Sequence, residues 1–233
     1  MHHKRFISFA LLLVLIAANM RIAIIVIPPL TTMLQHSLGL STSEIGSLTS
    51  IPLLCFGVFS AIGSFIIKRI GLHTTLMTGL IVLTIANFVR IYSPTLLFIG
   101  TLFVGLAIAV LNIGVPILVL SWFPREQIRL NGLYTASLNL FAAIVAGGSA
   151  ATAQHLGWQT TVQLVSIPAL LAVIYLTVFL LRTPKQASQP HAVAVPATKQ
   201  DSPSSVYKNN AVWLLMVFMG AQSAIYYAAV AWL

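Results

Sequence analysis

Between residues 94 and 122 the sequence reads PTLLFIGTLFVGLAIAVLNIGVPILVLSW, a run of 29 residues without a charged side chain. A helix rises about 1.5 Å per residue, so about 20 apolar residues cross the roughly 30 Å hydrocarbon core of a bilayer. Lipid offers no hydrogen-bond partners, and a helix satisfies its own backbone groups. This run therefore predicts a membrane-spanning helix.

Similar apolar runs lie on both sides of this one. They occupy approximately residues 6–30, 45–67, 72–91, 130–155, 158–181 and 211–233. Hydrophobic residues make up 58% of the 233 residues and charged residues only 6%, whereas a soluble domain has about 25% charged residues. The sequence thus predicts an all-α membrane protein with a six-helix N-terminal bundle, a linker and a seventh helix.

Residues 183–210 differ in composition from the apolar runs around them. They carry Pro184, Pro190, Pro196 and Pro203 among serine, glutamine, lysine and alanine. Large apolar side chains are too few to build a core, which favours an extended or disordered cytoplasmic linker. The predicted domains are a bundle at 1–182, the linker at 183–210 and the first helix of a second bundle at 211–233. Because this layout is that of a six-plus-six transporter interrupted after its first half, we expect a fragment.

The basic residues predict the orientation, since Lys and Arg are concentrated in cytoplasmic connections. With the N-terminus in the cytoplasm, Arg90 alone lies outside and Arg21 lies within a helix. The other ten of the twelve are then inside: Lys4, Arg5, Lys68, Arg69, Arg125, Arg129, Arg182, Lys185, Lys199 and Lys208. We therefore expect a multi-pass inner-membrane protein. The net charge of +9 does not indicate nucleic-acid binding, because the cations are scattered between apolar runs.

Polar residues inside the predicted spans are the candidates for solute contact, because such groups are costly in hydrocarbon. The positive charge of Arg21 favours an anionic or electron-rich solute. Two alternatives stay open: the Arg21 side chain could snorkel to the outer interface, or it could form a fixed pair with a polar group of the absent half. Asn112 could equally make a helix-to-helix hydrogen bond. Pro116 frees the Asn112 carbonyl and predicts a kink. The full candidate set is Asn19, Arg21, Asn112, Tyr134, Asn139, Gln222 and Tyr227.

The acidic residues, Glu44, Glu126 and Asp201, all fall in loops or at helix ends of the predicted layout. A proton-coupled transporter usually holds a titratable group within the membrane. A proton or ion as coupling species therefore stays open, its carboxylate lying in absent sequence or the proton moving with the solute. Cys55 is the single cysteine, and no histidine pair has metal-ligand spacing. We expect no cofactor, metal site or catalytic residue.

The connection at residues 63–73, GSFIIKRIGLH, resembles the basic signature between the second and third helices of the major facilitator superfamily. Gly63, Lys68, Arg69 and Gly71 are its candidate conformational residues, although Lys68 stands where the superfamily usually has Asp. Longer stretches are similar to the cyanate and 2-nitroimidazole transporter branch, in which Pro commonly replaces Ile22. They are AANMR at 17–21, IPLLCFG at 51–57, GLAIAVLNIGVP at 105–116, FP at 123–124, GLYTA at 132–136, GW at 157–158, GAQ at 220–222 and AWL at 231–233.

This resemblance implies a twelve-helix fold of two pseudo-symmetric halves that bind a small solute between them and expose it to each side in turn. The implied solutes are polar or anionic, such as cyanate or nitroimidazole-like compounds. The implied partners are the lipid bilayer and the missing C-terminal half. Two other functions stay open: a non-transporting assembly or regulatory protein derived from a half-transporter and, less favoured, a membrane-embedded enzyme.

Small residues four apart predict close helix packing, because no hydrophobic effect drives helix association in lipid. The pairs are Gly57 with Ala61, Gly105 with Ala109, and Gly147 with both Ala143 and Ala151.

Overall fold

The computed structural model describes residues 2–182 and 210–232, and within them all regular structure is helical. The chain divides into two units, Met1–Ser188 and Gln189–Leu233. The first contains α1 (His2–Ile25), α2 (Thr31–Leu38), α3 (Thr42–Ile70), α4 (Leu72–Val89), α5 (Pro94–Trp122), α6 (Gln127–Leu156), α7 (Trp158–Leu164) and α8 (Ser166–Arg182), with 3₁₀ turns at Pro28–Leu30 and Pro124–Glu126. The second contains α9 (Asn210–Trp232).

Six helical stretches of the first unit are long and apolar enough to cross a bilayer, which confirms the predicted six-helix bundle. They are Lys4–Leu38, Thr42–Phe59, Leu72–Val89, Pro94–Trp122, Pro124–Leu156 and Trp158–Arg182. The seventh predicted run is helical as α9. The predicted linker at 183–210 lies outside the described residues except for Asn210, which begins α9.

The first predicted span is not one continuous helix. Pro28 and Pro29 have no backbone N–H and cannot extend the α-helical hydrogen bonding, so α1 ends at Ile25. Ile27 N donates to Ile24 O at 3.4 Å, three residues back, instead of to Ala23 O four residues back. The Ala23 carbonyl therefore loses its helical donor at the point where α1 ends.

The sixth predicted span also contains a break, between α7 and α8. Pro168 has no N–H and cannot donate to Leu164 O. Just before it, Val165 N donates to Val162 O at 3.3 Å, three residues back, which closes a tighter turn than that of an α-helix. The two segments still form one membrane-length stretch.

The six spans pack as two groups of three. One group consists of α1, α6 and α8, and in the other α5 packs against both α3 and α4; the groups meet where α4 contacts α8 and α1 contacts α5. Buried aliphatic side chains fill the interior, among them Leu12, Ile16, Leu76, Leu111 and Val115.

Gly105 lies where α3 and α5 approach most closely. A Cβ atom at Gly105 would lie 2.9 Å from Pro52 Cα and 3.0 Å from Cys55 Sγ, so a larger residue would force the helices apart. The small-residue contact expected there is confirmed. At Gly57 and Gly147 a Cβ would meet no atom within 4 Å, so neither marks a close approach inside the described bundle.

Two one-residue connections, Gly71 and Gly157, have the same structure. Gly71 has φ 88° and ψ 154°, and Gly157 has φ 82° and ψ 156°, a conformation that glycine adopts without a steric penalty. The residues that follow also correspond, as GLHTT at 71–75 and GWQTT at 157–161. Thr75 Oγ1 donates to Gly71 O at 2.7 Å, and Thr161 Oγ1 to Gly157 O at 2.9 Å.

These two connections follow the second and the fifth span. Three membrane crossings separate them, so they lie on opposite sides of the bilayer. Matching connections three spans apart are the pattern that two three-span repeats of inverted topology would produce, an organisation found in many secondary transporters.

Candidate functional site

A cluster of polar side chains forms where α1, α5 and α6 meet. Tyr134 Oη donates to Asn112 Oδ1 at 3.3 Å and lies 3.3 Å from Met20 Sδ. Arg21 follows Met20 directly in α1. We call Met20, Arg21, Asn112 and Tyr134 the Tyr134 cluster. It brings together three of the residues predicted to contact solute.

The Tyr134 cluster extends from the core of the half-bundle, where Met20 and Tyr134 are buried, to its surface. Tyr134 is only 7% exposed and forms the floor, whereas Arg21 is half-buried and Asn112 is exposed. Since Tyr134 donates to the amide oxygen of Asn112, the amide nitrogen keeps both of its protons for other acceptors. The cluster thus presents a cation and amide donors on an accessible face.

An aromatic cluster shows how deep the Tyr134 cluster lies. Phe9 contacts Phe123 at the end of the α5 span, with ring centroids 4.9 Å apart. Met20 follows Phe9 by eleven residues, Asn112 precedes Phe123 by eleven, and Tyr134 follows it by eleven. The first two separations are about 16 Å along α1 and α5, about half of the roughly 30 Å hydrocarbon thickness, whereas Tyr134 lies seven residues, or about 10 Å, beyond the start of α6 at Gln127. The polar groups therefore meet near the middle of the span.

Pro116 lies within α5, which continues through it from Pro94 to Trp122. Because proline has no N–H, the Asn112 carbonyl loses its usual helical donor. Asn112 therefore carries two polar groups that the helix does not use, its backbone carbonyl and its side-chain amide. The kink expected at Pro116 stays a prediction.

Asn19 lies elsewhere. It is 1% exposed, and its Nδ2 donates to Leu15 O at 2.6 Å and to Pro168 O at 3.0 Å. The side chain thereby ties α1 to the break between α7 and α8. This contact supports a helix-joining role, and the predicted solute contact of Asn19 stays a prediction.

The remaining predicted contacts lie further along α6 and on α9. Asn139 is exposed on α6, but five residues place it about 140° around the helix from Tyr134 and about 7.5 Å further along. Gln222 is exposed on α9, and Tyr227 lies in the same helix of the second unit. Their roles stay predictions.

The predicted conformational residues occupy the end of α3. Lys68 and Arg69 are exposed in its last turn, and Gly71 forms the connection to α4. Gly63 is buried against α5, where a Cβ would lie 2.7 Å from Ile113 Cδ1. The two glycines thus have steric reasons to be glycine, and a conformational role for the four residues stays a prediction.

Arg90 is the residue whose burial the sequence did not indicate. Its placement in an outside connection stays a prediction, but the structure shows it at the end of α4, 0% exposed, with Nη1 donating to Ala23 O at 2.9 Å. That carbonyl is the one left without a donor where α1 ends, two residues after Arg21. Among the described residues, Nε and Nη2 of Arg90 have no hydrogen-bond partner. The position of Arg90 directly after an apolar run was the one feature of the sequence that could have drawn attention to it, but this position does not indicate whether the side chain is buried.

Gly100 makes room for Arg90. A Cβ at Gly100 would lie 2.7 Å from Arg90 Cβ, so only glycine lets α5 pass this close to the end of α4. The close packing of α5 against the end of α4 therefore helps to bury the Arg90 guanidinium.

The described residues contain no group of three or more His, Cys, Asp or Glu side chains that could hold a metal ion. Their two acidic residues both lie at helix ends. Glu44 accepts from Ser41 N at 2.8 Å in a capping box, and Glu126 pairs with Arg129 at 3.3 Å.

Comparison with known proteins gives the evolutionary context. The family model of the Major Facilitator Superfamily matches residues 8–233. The chain is similar to the uncharacterized transporter YycB of Bacillus subtilis, with 34% identity over 99% of this chain and 56% of the relative. It is also similar to the 2-nitroimidazole transporter of Escherichia coli, with 28% identity over 95% and 55%, and to the cyanate transport protein CynX of Escherichia coli, with 24% identity over 96% and 56%. The chain thus spans about half the length of the curated relatives it matches.

Proposed function

Because the chain belongs to the major facilitator superfamily, whose matched members are transporters and not enzymes, we propose that it forms half of a secondary active transporter for a small polar or anionic solute. The observation that carries this proposal is the Tyr134 cluster, which lies on an accessible face at about half the membrane depth. Polar groups at that depth are costly unless they serve a solute or a partner.

The chemistry of the cluster favours an electron-rich solute. Arg21 supplies a positive charge in a low-dielectric setting, and the amide protons of Asn112 can donate to a solute oxygen or nitrogen. Tyr134 holds the Asn112 side chain with its oxygen turned inward. Cyanate and 2-nitroimidazole, named for two relatives, both offer acceptor atoms of this kind.

The mechanism we propose is alternating access between two half-bundles. Secondary transporters bind solute near the bilayer midplane between structural repeats, and the matching connections three spans apart support such an organisation. Gln222 and Tyr227, on α9, are the solute contacts that we propose for the second half. No coupling proton is assigned to Glu44 or Glu126, because both lie at helix ends.

We also propose that the protein lies in the inner (plasma) membrane with its N-terminus in the cytoplasm. The cations in the first-unit connections support this orientation, and Lys68, Arg69, Arg125 and Arg129 are all exposed. A cysteine introduced in place of Lys68 should react with an impermeant thiol reagent only from the cytoplasmic side. Reaction from the outside alone would reverse the orientation.

The decisive experiment is solute uptake by the full-length transporter reconstituted in liposomes. Arg21→Gln should reduce uptake of labelled cyanate or 2-nitroimidazole by about tenfold or more, the effect of losing about 1.4 kcal/mol of binding free energy. Arg129→Gln removes the same charge from an exposed surface ion pair and should leave uptake near the wild-type value. Equal uptake by Arg21→Gln and wild type would refute the site.

A further inference from the structure

A basic groove lies at the end of the bundle where α1 begins and α8 ends. It encloses a cavity of about 220 Å³ lined by Lys4, Arg5, Ser8, Tyr175, Val178 and Arg182, with Phe179 behind them. The Tyr134 cluster lies near mid-span, so this groove at the span ends is a separate site. Three cations from two antiparallel helices converge on one small cavity.

The floor of the basic groove is fixed. Tyr175 Oη donates to Ser8 O at 3.2 Å and so joins the two helices. Phe179 is 9% exposed, with ring centroids 5.9 Å from Phe9 and 5.2 Å from Trp122. The groove therefore has an ordered, largely apolar base, while Lys4, Arg5 and Arg182 remain exposed at its rim.

The charge of the rim is not balanced within the described chain. The one ion pair found among residues 2–182 and 210–232 joins Arg129 to Glu126, and the other described acidic residue, Glu44, caps α3. Three like charges around a cavity repel one another, so an anion placed between them is stabilised. The groove thus has the electrostatic character of an anion site.

The depth of the basic groove indicates which anion reaches it. Lys4 lies in the first turn of α1 and Arg182 in the last turn of α8, so the cations lie at the ends of membrane-length helices, at the level of the lipid headgroups. Below the rim, Ile174, Val178 and Leu181 form an exposed apolar stripe along α8, and they are 52%, 39% and 81% exposed. A phosphate at the rim would therefore continue into a surface suited to an acyl chain.

We propose that the basic groove binds an anionic phospholipid, with the headgroup phosphate between Arg5 and Arg182 and an acyl chain along the apolar stripe of α8. Arginine forms paired hydrogen bonds with phosphate oxygens, and basic pockets between membrane helices are suited to acidic headgroups. The site requires no transport activity, so it can be tested apart from the proposed function.

The test compares lipid retention by two variants of equal charge. The full-length protein is purified with phosphatidylglycerol present, and bound lipid is counted by native mass spectrometry. Arg5→Gln combined with Arg182→Gln should reduce phosphatidylglycerol retention about tenfold. Lys68→Gln combined with Arg69→Gln removes two exposed cations from the end of α3 and should leave retention unchanged.

Three outcomes would overturn the proposal. One is equal loss of lipid in both variants, which would indicate nonspecific surface charge. Another is unchanged retention in the groove variant at a wild-type melting temperature. The last concerns the source of the phosphate. The rise in melting temperature is measured with inorganic phosphate and with phosphatidylglycerol vesicles, each relative to phosphatidylcholine vesicles. An equal rise with both would indicate a soluble ligand in place of a lipid.

Discussion

Tyr134 is the residue at which three helices of the half-bundle meet, because its hydroxyl lies 3.3 Å from both Met20 Sδ and Asn112 Oδ1. The phenol has one proton, so the amide oxygen, the stronger acceptor, is its expected partner and the thioether fills the space beside it. Tyr134 thereby orients the Asn112 amide. Its contribution to solute binding is indirect, through the direction of the Asn112 amide protons.

Tyr134→Phe tests this orienting role. Loss of the hydroxyl should destabilise the protein by only about 1 kcal/mol, because Asn112 Oδ1 can turn toward solvent or solute. The Michaelis constant for uptake should rise severalfold, since the amide is no longer held, while the maximal rate changes less. Tyr92→Phe removes a hydroxyl from an exposed tyrosine and serves as the control. An unchanged Michaelis constant would mean that the Asn112 orientation does not matter.

The ends of the helices determine how α1 presents its polar side chains. Asn19 ties α1 to the break before α8, and Arg90 caps the carbonyl left unpaired where α1 ends. A cation at a helix C-terminus also interacts favourably with the helix dipole. Arg21 lies between these two attachments, so the first span is held on both sides of its charged residue.

Arg90→Ala tests the attachment at the end of α1. A buried hydrogen bond to a charged group is worth about 1.5–3 kcal/mol, so the melting temperature should fall and the amides of Val26 and Ile27 should exchange faster. Arg90→Lys keeps a donor and a charge and should recover part of the loss. Arg129→Ala, at an exposed ion pair, should cost at most about 1 kcal/mol. Wild-type exchange in Arg90→Ala would contradict the capping role.

At the scale of the whole half-bundle, the repeated Gly-x-x-Thr-Thr connections are the clearest structural symmetry. Gly71 and Gly157 share a backbone conformation and the same threonine hydrogen bond, although their helices follow in opposite directions across the bilayer. Each connection turns one span directly into the next. Each of these two connections consists of a single glycine.

Gly71→Ala and Gly157→Ala should therefore be equivalent. Each forces an L-residue into a conformation that costs about 1–3 kcal/mol, so both should lower the melting temperature by similar amounts. Gly132→Ala is the matched control, because Gly132 lies within α6 with no atom near its Cβ position and should be neutral or stabilising. A large effect at one connection only would show that the two connections are not mechanically equivalent.

Much of the fold could be predicted from the sequence, because the length and apolarity of a span are local properties. The six spans follow from such runs alone, as does the expectation that Arg21, Asn112 and Tyr134 lie within them. The break between α7 and α8 was not predicted, since proline is also compatible with a continuous span, as Pro116 in α5 shows.

The sequence by itself determined which segments enter the membrane and how deep each polar residue lies, because helix rise converts residue number into distance. Only the tertiary structure decided which polar residues meet, because the side of a helix that faces a neighbour depends on packing between segments far apart in the chain. Packing placed Asn112 against Tyr134, turned Asn19 toward Pro168 and buried Arg90 beneath Gly100. A hydropathy profile does not indicate these contacts, because it reflects the cost of burying a charge but not the carbonyl that compensates for that cost.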